Sequence, residues 1–248
     1  MVQSFAWVAV GVAPFIGSFL GVVTRRWPDW RGITLGRSSC ESCGARLSAA
    51  ELVPVLAFLW QRGRCRRCAA PIAPAHLVIE LAALAVPLAQ LAAGITAPAP
   101  LWAGCGLGWA LLVLAAIDLR HQVLPDAITL PLLLAGLAVT ARQDPGALAA
   151  HALAAALAWA LLAGLSLAYR RLRGREGLGL GDTKLLAAGG AWLGPLALPY
   201  VLLLAALVTL TGAGIATLAG RRIDGNTRLP FGPALAAAIF FFWLMQAS

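Results

Sequence analysis

Long apolar runs separated by short polar stretches lay out this chain. The first run extends from about Ser4 to Val23, and others lie near 77–96, 100–117, 127–141, 147–168, 185–219 and 231–247. Most approach the roughly 20 residues that a helix needs to cross the hydrocarbon core of a bilayer. The run 185–219 is too long for one crossing. It contains Gly194-Pro195 and Pro199, which suit a turn, and reads as a hairpin of two short spans. The pattern predicts an all-α polytopic membrane protein of about eight transmembrane helices, with a polar insert, 24–76, after the first helix (1–23) and a transmembrane domain over 77–248.

Composition agrees. Of 248 residues, 60% are hydrophobic and only 12% charged, whereas soluble domains carry about a quarter charged residues. No Lys or Arg precedes the first run, so it reads as a retained span rather than a cleavable secretion signal. A net charge of +9 invites nucleic acid as a partner in a soluble protein. Between membrane spans it marks cytoplasmic loops instead, so the expected surroundings are a lipid bilayer and no nucleic acid. With the insert cytoplasmic and eight spans, 18 of the 19 Lys and Arg residues fall on that side, leaving only Arg142 outside. A single crossing at 185–219 would move Arg221, Arg222 and Arg228 to the outer face. Both termini are then outside. Asp118 and Asp182 reach the same cytoplasmic depth, although far apart in sequence.

The insert carries "SSCESCGARL" and "RGRCRRCAAP", which supply Cys40, Cys43, Cys65 and Cys68 as two C-x-x-C pairs. Each pair forms a tight knuckle offering two corners of a tetrahedron, and two knuckles close a four-thiolate site, usually for Zn²⁺. A rubredoxin-like iron site uses similar knuckles. A cytoplasmic location argues against structural disulfides, and the closed ligand set points to a folding role. A regulatory dithiol pair is the other reading. Cys105 stands alone in a span and reads as packing.

"AAIDLRHQVLPDAITL" holds Asp118 and Asp126, and "GLGLGDTKLLAAGG" holds Asp182 and Lys184. Asp126 follows Pro125 and precedes an apolar helix, so its ordinary role is an N-cap. Asp182 has the same option, with Lys184 snorkelling. Asp118 has none, because a helix C-terminus disfavours an anion. Two carboxylates at one depth suggest an aspartic dyad that shares a proton, one member activating water while the other polarises a scissile carbonyl. Gly177, Gly179 and Gly181 would let a substrate backbone approach Asp182, and a flexible loop and no more is the other reading. His121 lies near enough in sequence to tune Asp118, although a solvated loop histidine is the plainer reading. The nine tryptophans read largely as interface anchors. Asp126, Glu176 and Asp224 are candidate partners for a basic substrate.

With these residues in place, the chain resembles the type IV prepilin peptidases, a family of GxGD-type membrane aspartic proteases. The resemblance runs through "PFIGSFLGVVTRR", the double C-x-x-C insert, "VPVLAFLWQRGRCRRCAAPIAP", "IDLRHQVLPDAITLPLLLAG", "GLGLGDTKLLAAGGAWLG" and "LPFGPALA", in the family's order and spacing. It implies that Asp118 and Asp182 are catalytic, that Gly179, Gly181, Lys184 and Asp126 support them, and that Cys40, Cys43, Cys65 and Cys68 bind structural zinc. Glu80 aligns with a glutamate that often follows the insert and is the methyl-transfer candidate. The implied activity is removal of a short basic leader from prepilins and pseudopilins of the type IV pilus and type II secretion. Cleavage follows a glycine at the cytoplasmic face of the bacterial inner membrane, and S-adenosylmethionine then methylates the new N-terminus.

Departures from the family pattern cluster in the N-terminal third. Gly21 stands for the usual Asn and Glu41 for the usual Pro; 49–54 lacks an Asp-Asn pair, and 73–80 lacks Arg-Tyr-Pro. A presenilin-type protease would place Tyr where Ile117 stands and would lack the cysteine insert. A carrier or scaffold using Asp118 and Asp182 as a proton or cation relay is the reading from a different class.

Overall fold

The computed structural model describes residues 2–28, 38–174, 179–220 and 229–247. Its helices are α1 (Val2–Arg26), α2 (Leu56–Trp60), α3 (Ala75–Ala92), α4 (Pro98–His121), α5 (Asp126–Gln143), α6 (Leu148–Arg173), α7 (Leu180–Leu193), α8 (Leu198–Leu218) and α9 (Gly232–Ala247). Short 3-10 turns occupy Ala49–Leu52 and Pro145–Ala147. Among the described residues five helices, α1, α3, α4, α6 and α8, are long and apolar enough to cross a membrane. The 185–219 run is broken at Gly194, whose φ of 74° ends α7, at the place where Gly194-Pro195 suggested a turn. At about 1.5 Å per residue, α7 is roughly 21 Å long, short of the ~30 Å hydrocarbon core. Leu203, Leu207, Leu210 and Leu218 project outward from α8. That surface would be a liability in water and is ordinary against lipid.

The chain forms two compact units, Met1–Val113 and Leu114–Ser248. In the first, α1 lies along α3. The approach is tight because Gly17 has no side chain; a Cβ there would sit 2.7 Å from the Glu80 Cα and 2.8 Å from the Ala83 Cβ. The Trp109 indole donates to the Ala83 carbonyl at 3.0 Å. Cys105 is wholly buried, as a packing residue should be.

The second unit is built around α7, which packs on α5, α6 and α9. Every residue from Leu185 to Leu193 is buried. Small residues set the distances. A Cβ on Gly190 would come within 2.9 Å of the α6 backbone at Ala154 and Ala155, and one on Gly189 within 3.0 Å of Ile239. Gly136 of α5 makes room for the Trp192 ring, 2.5 Å from where its Cβ would be, and the Trp192 Nε1 donates to the Leu132 carbonyl at 2.8 Å. Trp192 also meets Trp243 edge to face at 5.4 Å between centroids. Both rings are buried, so these two tryptophans are core residues, not the interface anchors expected. The Ala191 and Leu193 carbonyls at the end of α7 are met by the His151 ring at 3.0 Å and the Gln246 amide at 3.2 Å. Such groups have no water to satisfy them inside a bilayer.

Two glycines give opposite expectations. Gly190→Ala should destabilise the protein by about 1–3 kcal/mol, the usual cost of overpacking. Gly212→Ala, on α8 with nothing within 4 Å of a Cβ, should be neutral or stabilise by about 0.4–1 kcal/mol. Thermal unfolding of both in one detergent separates them; equal melts would contradict the close packing of α7 on α6.

Candidate functional site

The second unit contains a cavity of about 380 Å³, lined by Asp118 near the end of α4, the turn Gln122–Leu124, Ser166 and Arg170 of α6, and Gly179–Asp182 with Lys184 at the start of α7. Asp118 and Asp182 therefore face one space. They are close enough for Asp182 to feel the charge of Asp118. Asp118 is only 7% exposed.

Local chemistry explains how each segment arrives there. Helix α4 closes where Gln122 takes a left-handed φ of 53° and its N–H bonds to the Asp118 carbonyl at 2.9 Å. Pro125 then disfavours helix in the residue before it and opens α5. Gly179 occupies the N-cap position of α7, with Asp182 in the first turn. The two glycines of G-x-G-D act differently. A Cβ on Gly179 would lie 3.3 Å from the Asp182 Oδ2, so this glycine leaves room for the carboxylate itself. A Cβ on Gly181 would lie 2.9 Å from the Leu124 Cβ, so this one lets α7 close on the turn that follows Asp118. Gly177 lies outside the described residues, as do Glu176 and Asp224.

Asp126 and Lys184 depart from their simplest expected roles. Pro125, not Asp126, occupies the N-cap position of α5, and Asp126 is its first helical residue. The Lys184 Nζ donates to both Asp126 oxygens, at 2.6 and 2.8 Å, so the lysine does not snorkel. A two-pronged ion pair outweighs one capping hydrogen bond. With the carboxylate more than half exposed, such a pair contributes about 0.2–1 kcal/mol. Its effect is positional, tying the first turn of α5 to that of α7. His121 is exposed and does not line the cavity.

Gly232, the first residue of α9, is a site residue that the sequence motifs did not single out. Its backbone lies against the Asp118 carboxylate, and a Cβ would sit 2.6 Å from the Asp118 Oδ2. Both carboxylates thus lie against helix N-termini, where unpaired N–H groups favour anions. The signal available was the glycine of "LPFGPALA", placed just before a proline that starts a helix.

In the first unit the two C-x-x-C pairs cap two small hairpins, bridged at Ser39–Arg46 and Arg64–Pro71. Each knuckle repeats the same bonds. Cys40 N–H meets the Ala45 carbonyl and Cys65 N–H the Ala70 carbonyl, both at 2.9 Å. Gly44 and Ala69, the residue after each pair, both turn left-handed, at φ 70° and 57°. The four sulfurs lie within 4.8 Å of one another, and Cys40 and Cys68 are 3.8 Å apart. Thiolates about 2.3 Å from a tetrahedral zinc stand roughly 3.8 Å apart, so the cluster fits such an ion. Backbone N–H groups of Cys43 and then Ser42 bond to the Cys40 sulfur and hold its pKa down to about 6, which keeps a thiolate ready at neutral pH. Glu41, the departure inside the first knuckle, pairs with Arg25, which also meets the His76 ring. Glu80 is buried, its Oε2 accepting the Val55 N–H at 2.7 Å.

These features define a polytopic helical membrane protein with a paired-carboxylate cavity and a four-thiolate cluster. Residues 12–93 match the Bacterial Peptidase A24 N-terminal domain and residues 105–216 the Type IV leader peptidase family. Proteins called prepilin leader peptidase/N-methyltransferase are similar over most of their length. Those of Burkholderia pseudomallei strains K96243 and 1026b are 45% and 40% identical, over 94% of this chain and 84% of theirs. That of Aeromonas hydrophila is 39% identical, over 90% of this chain and 84% of its own. No solved structure matches. The chain belongs to the type IV leader peptidase family.

Two outcomes follow from this geometry. Gly232→Ala should keep its melting temperature within a few degrees while peptide cleavage falls about 10²-fold, the cost of displacing a reacting group by about an ångström. Single-turnover cleavage beside a thermal melt checks this, and an unchanged rate would separate Gly232 from the site. The purified protein should carry one zinc per chain, and Cys65→Ser should lower that content several-fold, as read by elemental analysis.

Proposed function

We propose that the protein is a bacterial inner-membrane prepilin peptidase. It removes the short basic leader of type IV prepilins and pseudopilins after a glycine, and N-methylates the new N-terminal residue. The observation that carries the protease half is the cavity shared by Asp118 and Asp182. Between two close carboxyl groups, one proton is shared. The ionised group takes a proton from water as that water attacks the scissile carbonyl; the protonated group donates to the carbonyl oxygen. The proton then passes to the leaving amine. Lys184 and Asp126 hold the two segments in register, and Gly179 and Gly181 allow the close approach described above.

The helix ends that bear the two carboxylates also suit the substrate. A prepilin keeps its apolar helix in the bilayer while its scissile bond meets water at the cytoplasmic face. The chain is read as crossing eight times, with both termini outside and the site cytoplasmic. The positive-inside balance supports this, since 18 of 19 basic residues fall on one side. On this reading 24–76 is the zinc-binding insert and 77–248 the protease domain.

Zinc held by Cys40, Cys43, Cys65 and Cys68 would supply four bonds that fold the insert. S-adenosylmethionine would supply an electrophilic methyl group for the new N-terminal amine, with Glu80 the candidate residue on this chain. The names of the relatives support the methyl-transfer half.

The test is cleavage of a prepilin with a Gly-Phe junction by the protein in lipid, with mass spectrometry of the product. Wild type should cut after the glycine and add the mass of one methyl. Asp118→Asn and Asp182→Asn should each fall on the order of 10²–10⁴-fold, the usual share of general acid–base catalysis. If either variant cuts at the wild-type rate, the dyad is wrong; if wild type releases no product from several prepilins, a proton or cation relay becomes the better account.

A further inference from the structure

The cavity shared by the aspartates carries further charges that the cleavage step does not use. Along one wall, Ala163, Ser166, Leu167 and Arg170 form a single face of α6, at the i, i+3, i+4 and i+7 spacing of a helical stripe. Arg170 closes that stripe within a turn of the helix end at Arg173. It is exposed and has no ion pair among the described residues. Arg171 beside it is exposed as well. This wall ends in uncompensated positive charge.

The other wall ends in negative charge. The turn Gln122–Leu124 and Lys184 line the cavity, and Asp126, two residues past Leu124, holds the Lys184 Nζ. The Asp126 side chain is 55% exposed. A carboxylate offers about four lone-pair sites, and Lys184 takes one on each oxygen. Asp126 can therefore accept a second cation without giving up the first. Among the described residues of the second unit, no other carboxylate at this end is available. Asp118 and Asp182 form the dyad. Asp144 follows α5 at its far end, where its side chain accepts the N–H groups of Gly146 and Ala147.

Opposite charges on separate walls give a bound peptide a direction, since a cationic end is drawn to one and repelled by the other. We propose that Asp126 takes a basic side chain of the leader while Arg170 turns the leader away from α6. The leader then leaves the cavity over the start of α5, and the mature segment lies along α6. The proposal rests on the peptidase reading above and adds to it a rule for substrate direction. Asp126 gains a role beyond tying α5 to α7, and Arg170 gains one in a cavity organised by acids.

The test is steady-state cleavage in lipid of three prepilins that differ only in the leader, whose Lys and Arg residues are kept, replaced by Gln or replaced by Glu. What decides is the ratio of kcat/KM among them, because lost packing or register lowers all three alike. Wild type should favour the basic leader over the Gln leader about five- to tenfold, the combined effect of one attraction and one repulsion between exposed charges. Asp126→Asn should bring that ratio within about twofold of one. Lys184→Met breaks the ion pair but leaves the Asp126 carboxylate, so its ratio should stay at the wild-type value or rise. Arg170→Gln should speed cleavage of the Glu leader several-fold, a gain that structural damage does not produce. If wild type cuts the Gln or Glu leader as fast as the basic one, or Asp126→Asn slows all three by one factor, Asp126 is a structural residue only and the rule is wrong. If Arg170→Gln leaves the Glu leader unimproved, the repulsive half is wrong. If wild type cuts none of the three, the peptidase reading fails and the rule with it.

Discussion

Within hydrocarbon, apolar side chains gain little by leaving lipid for one another, so helices associate where backbones can approach closely and where polar groups find partners. Helix α7 is the clearest case. Gly189 and Gly190 bring it against α9 and the α6 backbone, and Gly181 brings its first turn against Leu124. Without that last approach Asp182 would not face the cavity that Asp118 lines. The glycines of the G-x-G-D signature thus serve packing before chemistry, one leaving room for the carboxylate and the other for the neighbouring turn.

The same scarcity of water governs the charged groups. Asp118 is mostly buried at the C-terminal end of its own helix, a poor place for an anion. The start of α9 compensates, with Gly232, its first residue, set directly against the Asp118 carboxylate. Asp182 lies in the first turn of α7, and the Lys184–Asp126 pair closes the same end of the unit. Helix termini and one ion pair therefore organise the acidic cavity, and all of them are carried by first turns. A membrane-anchored substrate would present its scissile bond at that level.

The first unit solves a different problem. Among its described residues the insert contains one short α-helix, Leu56–Trp60, too little apolar structure to fold by burial alone. Four thiolates at zinc-like spacing, and Arg25 bridging Glu41 and His76, take the place of a core. The left-handed Ala69 and the strained turn at Val55 are tolerated inside that framework.

Much of this protein is legible in the chain itself. Apolar runs locate the long helices, Gly194-Pro195 the break between α7 and α8, C-x-x-C spacing the thiolate cluster, and motif order the family. These are local properties, carried by length, periodicity and short spacing, and a sequence states them directly. Pairings between distant segments are not written there. Lys184 reaches Asp126 rather than lipid headgroups, Trp192 serves the core through Leu132 and Trp243, Gly232 meets Asp118, and Glu80 holds the bend at Val55. Each depends on which helix faces which across the fold, and two contacts hinge on a missing Cβ that composition cannot reveal. The sequence by itself determined which segments are helical and which residues carry chemistry; only the tertiary structure decided their neighbours, because helix-on-helix register is set by close packing in three dimensions.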